Sequence, residues 1–175
     1  MLDTFALVRS FAVVPAASTL RDMTLKAASG MYFEEFAVGD SGTSATRTIT
    51  ETDVVNFAGL SGDYNEIHTS ETFSHGQHFG RRIAHGMLGL SIASGLAVQM
   101  GFMLGTVEVF RSLEWEFTGP IFLGETVWVE AEVTELKPFP RLKNGKVTFK
   151  VVLKKQDGSV VQRGTWSLLV KMKPR

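Results

Sequence analysis

Between Met87 and Leu104 eighteen consecutive residues carry no charge, and this run constrains the fold more than any other stretch. A run of that length reaches the lower limit for a membrane span. Yet Gly89, Gly95 and Gly101, with Ser91, Ser94 and Gln99, lower its hydropathy, and no aromatic or basic belt brackets both ends. A buried helix in a soluble core fits better, apolar all round because other elements wrap it, with small residues that let a sheet approach. The remaining chain must supply that wrapping. Downstream lie four strand candidates, Val107 to Phe117, Glu125 to Leu136, Lys146 to Lys155 and Val160 to Met172. Turn signals at Gly119-Pro120, Pro138 to Gly145 and Asp157-Gly158 separate them, which predicts an antiparallel meander. Upstream, the Thr-rich segment Thr43 to Ile49 suits an edge strand. Thr50 and Asp53 then form a capping pair for a helix through Val54, Val55 and Phe57 that stops near Gly59. One long helix wrapped by a curved antiparallel sheet of about five strands is an α+β arrangement.

Composition narrows the function. A chain of 175 residues, 44% hydrophobic, makes one ordinary domain that needs no metal or disulfide staple. That domain is expected over residues 31–173, with residues 1–30 as an N-terminal extension. The absence of Cys excludes disulfides and thiol nucleophiles, and fits a reducing, cytoplasmic location. Eighteen basic residues balance eighteen acidic ones, so no overall field attracts nucleic acid or an anionic membrane. In the extension, Asp3 precedes the apolar stretch and Arg9 splits it, against the pattern of a secretory signal. A mobile tail, or a start at Met31, is the expectation, with a transit peptide as the alternative.

All four histidines, His68, His75, His78 and His85, fall between the two helices. Leu60 to Phe79 is poor in apolar residues and rich in turn formers, so it reads as an ordered loop, and loops of this length in compact domains are usually functional. His75 and His78 lack a third ligand at metal-binding spacing, so they read as loop histidines and no metal is expected. Asp63 and His68 are different. Five residues of irregular backbone can turn a carboxylate and an imidazole toward one water, a general acid/base pair. On residue type alone, a turn-forming Asp and a surface His compete with that reading. Farther on, Gly86 stands where the loop enters the buried helix, so its N–H is placed to hold a developing oxyanion. Arg81 and Arg82 either guide ligand phosphates there or are plain surface charges.

These two stretches together resemble the hydratase motif of the MaoC-like dehydratases and (R)-specific enoyl-CoA hydratases. The matching residues are Phe57, Gly62, Asp63, Asn65, Ile67 and His68, followed by His85-Gly86-Met87. Glu66 stands where that family usually has proline, which removes a fixed backbone angle from the loop. The resemblance covers about Tyr32 to Lys171. It implies a hot-dog fold and reversible hydration of trans-2-enoyl-CoA to (R)-3-hydroxyacyl-CoA, without a cofactor. By position it implies that Asp63 and His68 activate water, Gly86 N–H holds the thioester oxygen, and Asn65 and Ser94 support the constellation. Arg81, Arg82 and His85 are the substrate-binding candidates. It also implies a homodimer or larger homo-oligomer. A hot-dog thioesterase and a noncatalytic acyl-thioester-binding protein are the competing readings. Bulky residues such as Phe102, Met103, Phe110 and Trp115 cannot be placed around an acyl pocket from sequence.

Overall fold

The computed structural model describes residues 30–174; the expectations for Met1 to Ser29 lie outside the described residues. Among the described residues, four α-helices and six strands follow a 3-10 turn at Phe33–Glu35, and a second 3-10 turn spans Pro140–Leu142. The helices are α1 (Glu51–Ser61), α2 (Glu66–Thr69), α3 (Glu71–His75) and α4 (Gly86–Gln99). The strands are β1 (Ser41–Thr43), β2 (Arg47–Thr48), β3 (Val107–Phe117), β4 (Thr126–Phe139), β5 (Asn144–Lys155) and β6 (Val160–Lys171).

The uncharged run forms α4 and then leaves it. After fourteen residues the chain passes through turns at Gly101 and Gly105, both with positive φ, before entering β3. Leu88, Ile92 and Leu96, with Gly89, Ala93 and Ala97, make one buried face that packs on the sheet. Contrary to the expectation of burial all round, Met87 and Val98 on the other side are exposed. The sheet of a single chain curls around only part of the helix.

The strands pair antiparallel in the order β1-β4-β5-β6-β3, with β2 also on β4. Only β4, β5 and β6 form a meander. The link from Thr118 to Glu125 is too long for a tight hairpin. It crosses below the start of α4, where Ala84 N–H donates to Ile121 O at 2.8 Å, and so sends β3 to β6 rather than to β4. Burial alternates along β4 and β5, placing Val127, Val129, Val133, Val147, Phe149, Val151 and Leu153 inside. Each fully buried aliphatic of this kind contributes about 1.5–3 kcal/mol. This sheet wrapped on a helix is the hot-dog arrangement that the motif implied.

Local chemistry sets the details. Thr43 to Ile49 is two short strands rather than one, because Ser44 Oγ accepts from Val129 N–H at 2.9 Å and takes the place of a ladder carbonyl. Thr50 caps α1 through the expected box with Asp53. That helix passes Gly59 and ends two residues later at Ser61, capped by Gly62, whose φ of 77° is left-handed and costs glycine nothing. The loop that follows contains two short helices, capped by the side chains of Asn65 and Ser70.

Candidate active site

The loop after α1 builds the site through its own polar side chains. Asp63 Oδ1 accepts the Asn65 N–H at 3.2 Å, and Asn65 Oδ1 accepts the Ile67 N–H at 3.1 Å, starting α2. Asp63 Oδ2 is thereby turned toward His68, whose ring α2 carries. His68 Nδ1 lies 2.8 Å from the Ile83 carbonyl. A carbonyl only accepts, so the ring proton sits on Nδ1 and Nε2 presents a free lone pair. That nitrogen is 4.0 Å from Asp63 Oδ2. Two acceptors at this separation do not bond to each other. A single water donating bonds of about 2.8 Å to both would span it with an angle of roughly 90° at its oxygen. Burial holds the His68 pKa below the ordinary histidine value; the neighbouring His85 ring pushes the same way, while the Ile83 hydrogen bond and the Asp63 charge oppose it. The imidazole is therefore a neutral base at pH 7.

His85 does not face ligand space. It is 2% exposed, and its Nε2–H donates to the Asp63 carbonyl at 2.9 Å, leaving Nδ1 buried without a partner. Its ring stacks on His68 at 3.8 Å and 31°, with Phe57 5.0 Å behind. The residue expected to bind substrate is thus buried here against the His68 ring. Asp63, His68 and His85 have ligand-type atoms within 4.8 Å of one another. Stacked imidazoles point their in-plane lone pairs side by side, and each already has one nitrogen on a carbonyl. Neither feature suits convergence on an ion about 2.0–2.1 Å from each nitrogen.

Gly86 opens α4, and its N–H has no acceptor within the helix. The ring of Phe117 lies 2.8 Å from where a Cβ would stand, so any side chain there would have to displace that ring. Gly86 and His68 line one cavity of about 580 Å³, shared with His78, Phe79, Phe117 and Gln162. The residues that carry the base and the amide therefore border common space. Sequence reading gave no site role to His78, Phe79, Phe117 or Gln162. His78 was taken for an exposed loop histidine, which it is, but it stands at the cavity wall. Gln162 carried a readable signal: it shares the inward period-2 phase of β6 with Trp166, Leu168 and Val170, where an apolar residue belongs.

The two arginines part company. Arg82 is spent on protein carboxylates, bidentate to Glu51 at 2.7 and 2.8 Å and bonded to Glu71 at 2.9 Å, which raises its pKa further. It ties α1 to α3 instead of facing ligand. Arg81 is exposed and lies 3.9 Å over the Phe122 ring. Ser94 sits about 12 Å along α4 from Gly86, so within one chain it does not touch the dyad. It lines a separate cavity of about 290 Å³ with Val98, Met103, Phe110, Trp166 and Leu168. Gly86, Leu90, Ser94 and Val98 recur every four residues, so both cavities lie along one face of the helix. Of the other bulky residues, Trp115 bonds to Gln162, and Phe102 lines a different cavity with Phe36 and Phe149.

Residues 35–155 match the family model described as MaoC like domain. The chain is 35% identical over 142 residues to an (R)-specific enoyl-CoA hydratase of Rhodospirillum rubrum, covering 79% of this chain and 91% of that one. It is 38% identical over 109 residues to a 3-hydroxybutyryl-CoA dehydratase of Methylorubrum extorquens, covering 62% and 67%. A crystal structure of a MaoC-like dehydratase from Rhodospirillum rubrum superposes with a TM-score of 0.76 at 28% identity, covering 83% of this chain and 100% of that one.

Proposed function

The chain belongs to the MaoC-like domain family, and from that premise we propose that it is a hydro-lyase that adds water to trans-2-enoyl-CoA, giving (R)-3-hydroxyacyl-CoA, and runs the reverse dehydration. One observation carries this reading: Asp63 Oδ2 and His68 Nε2 are spaced 4.0 Å apart, a fit for one shared water, and His68 borders a cavity that Gly86 also lines. Water held by the pair loses a proton to His68 Nε2 as its oxygen bonds to C3. The C2=C3 electrons move to the thioester, and Gly86 N–H stabilises the resulting oxyanion. Collapse of that oxyanion takes the proton from the dyad onto C2. The substrate gains one water, with OH at C3 and H at C2, and the dyad returns to its starting state. An oxyanion donor of this kind is worth about 3 kcal/mol of barrier.

The remaining roles follow from placement. Asn65 orients Asp63 through its N–H, and Arg81 offers its guanidinium to the CoA phosphates. The acyl chain extends along the α4 face from Gly86 toward Ser94. No cofactor is needed, because substrate and water supply every atom. The protein acts as a homodimer in the cytoplasm, with no nucleic acid or membrane partner. No helix among the described residues is long and apolar enough to cross a membrane.

A thioesterase would use the same cavity but direct the water to the carbonyl carbon and release free thiol. A panel of enoyl-CoAs and saturated acyl-CoAs of increasing length separates the two. The proposal expects loss of enoyl-thioester absorbance with (R)-alcohol product, and no thiol release from saturated substrates. Thiol release without hydration would overturn it, and tight binding with neither reaction would favour the noncatalytic reading.

A further inference from the structure

We infer that Gln162 is a positioning residue of this site: held by the Trp115 indole, its carboxamide fixes the first turn of α4 and with it the direction of the Gly86 N–H. The inference rests on the role proposed for Gly86 above. Gln162 Oε1 accepts from Trp115 Nε1 at 3.0 Å, and Gln162 Nε2 donates to the Gly86 carbonyl at 3.0 Å. The orientation is forced, since an indole N–H only donates and a carbonyl only accepts. The side chain is 2% exposed and shares the cavity wall with His68 and Gly86.

Three features make this more than a satisfied buried amide. First, a carboxamide on the apolar phase of β6 is an expensive way to fill space, and an aliphatic side chain would avoid the cost. Second, His85 at the cap position of α4 makes no side-chain cap bond, so the first turn lacks its usual anchor. Third, Gly86 gives ligand close approach at the expense of backbone freedom, because glycine lets both flanking peptides rotate. Gln162 holds the peptide after that glycine, the Gly89 N–H bond to the His85 carbonyl at 3.2 Å holds the peptide before it, and with both ends held the Gly86 N–H keeps one direction. Gly89 is glycine for the same reason, since an added Cβ there would collide with Gln162 Nε2.

The test compares the whole protein with Gln162→Met, Gln162→Glu and Trp115→Phe. Gln162→Met keeps length and removes both bonds; kcat on an enoyl-CoA should fall at least tenfold while KM moves less than threefold. Trp115→Phe should reproduce much of that fall, and the double variant should be no worse than Gln162→Met alone. In Gln162→Glu, the neutral acid can accept from the indole and donate to the Gly86 carbonyl, whereas the carboxylate opposes that carbonyl. Turnover should therefore recover as pH falls, adding a basic limb that the wild type lacks. Without reference to turnover, the Trp115 indole N–H resonance should exchange slowly in the wild type and shift in Gln162→Met. An indole signal that does not move overturns the bridge. So does a Gln162→Met kcat within twofold of wild type, or a loss confined to thermal stability. If the wild type hydrates no enoyl-CoA, the proposed function fails, and the indole signal still decides the bridge.

Discussion

At the residue scale the chemistry rests on one imidazole kept neutral. Burial and the stacked His85 ring both disfavour its charged form, so folded His68 titrates below the ordinary value of about 6.5. Turnover should stay level above pH 6.5 and fall on the acid side as Nε2 takes up a proton, which a pH profile of kcat/KM reads directly. Stability has the same sign. Between the folded pKa and about 6.5 the unfolded chain binds more protons, so acidification through that window lowers stability until both states are protonated. Tm should drop there, and His68→Gln should flatten the drop; an unchanged slope would contradict the burial argument. Asp63 and His68 were legible through the motif they belong to, since their spacing alone left a turn-forming Asp and a surface His as the competing reading. His85 was not, since its direction depends on how the chain turns into α4. Gln162 was missed, although a polar residue on the apolar phase of β6 was there to be read.

At the element scale, Arg82 and Arg81 show why residue type alone left an even choice. Sequence cannot bring Glu51, twenty positions before α3, beside Glu71; the fold does, and Arg82 fastens the two helices that flank the dyad loop. Arg82→Ala should therefore lower Tm, each exposed ion pair being worth up to about 1 kcal/mol, while leaving KM for crotonyl-CoA nearly unchanged. Arg81→Ala should do the reverse, raising KM severalfold with Tm unaffected. A thermal melt and a substrate titration on both variants settle the pair, and exchanged phenotypes would contradict the assignment. The capping pair at Thr50 was readable because its bonds are local. The break at Ser44 and the length of α1 depended on Val129 and Gly62, the first of which lies far along the chain.

At the scale of the whole molecule, sequence order supported the sheet wrapped on a helix but misled on its topology. Turn signals mark where strands end and not which neighbour they choose, so β3 was expected beside β4 and stands instead at the far edge next to β6. That edge carries Val109, Phe110, Leu113 and Phe117, all substantially exposed, near the uncovered Met87 and Val98 of α4. An unpaired edge strand of eleven residues that exposes four large apolar side chains among its charged ones is a hazard unless something covers them, and a second copy aligned antiparallel would do so. Light scattering should give a dimer, and Phe110→Lys with Leu113→Lys should give a monomer with reduced turnover, because Phe117 on the same strand also walls the Gly86 cavity. A monomeric, fully active wild type would contradict this. The central claim is that one water shared by Asp63 and His68 is added to an enoyl thioester. Its most direct test is crotonyl-CoA hydration by the wild type beside Asp63→Asn and His68→Ala, each verified as folded. The account predicts (R)-3-hydroxybutyryl-CoA from the wild type and a loss of roughly a hundredfold or more in each variant; near wild-type turnover in either folded variant would contradict it.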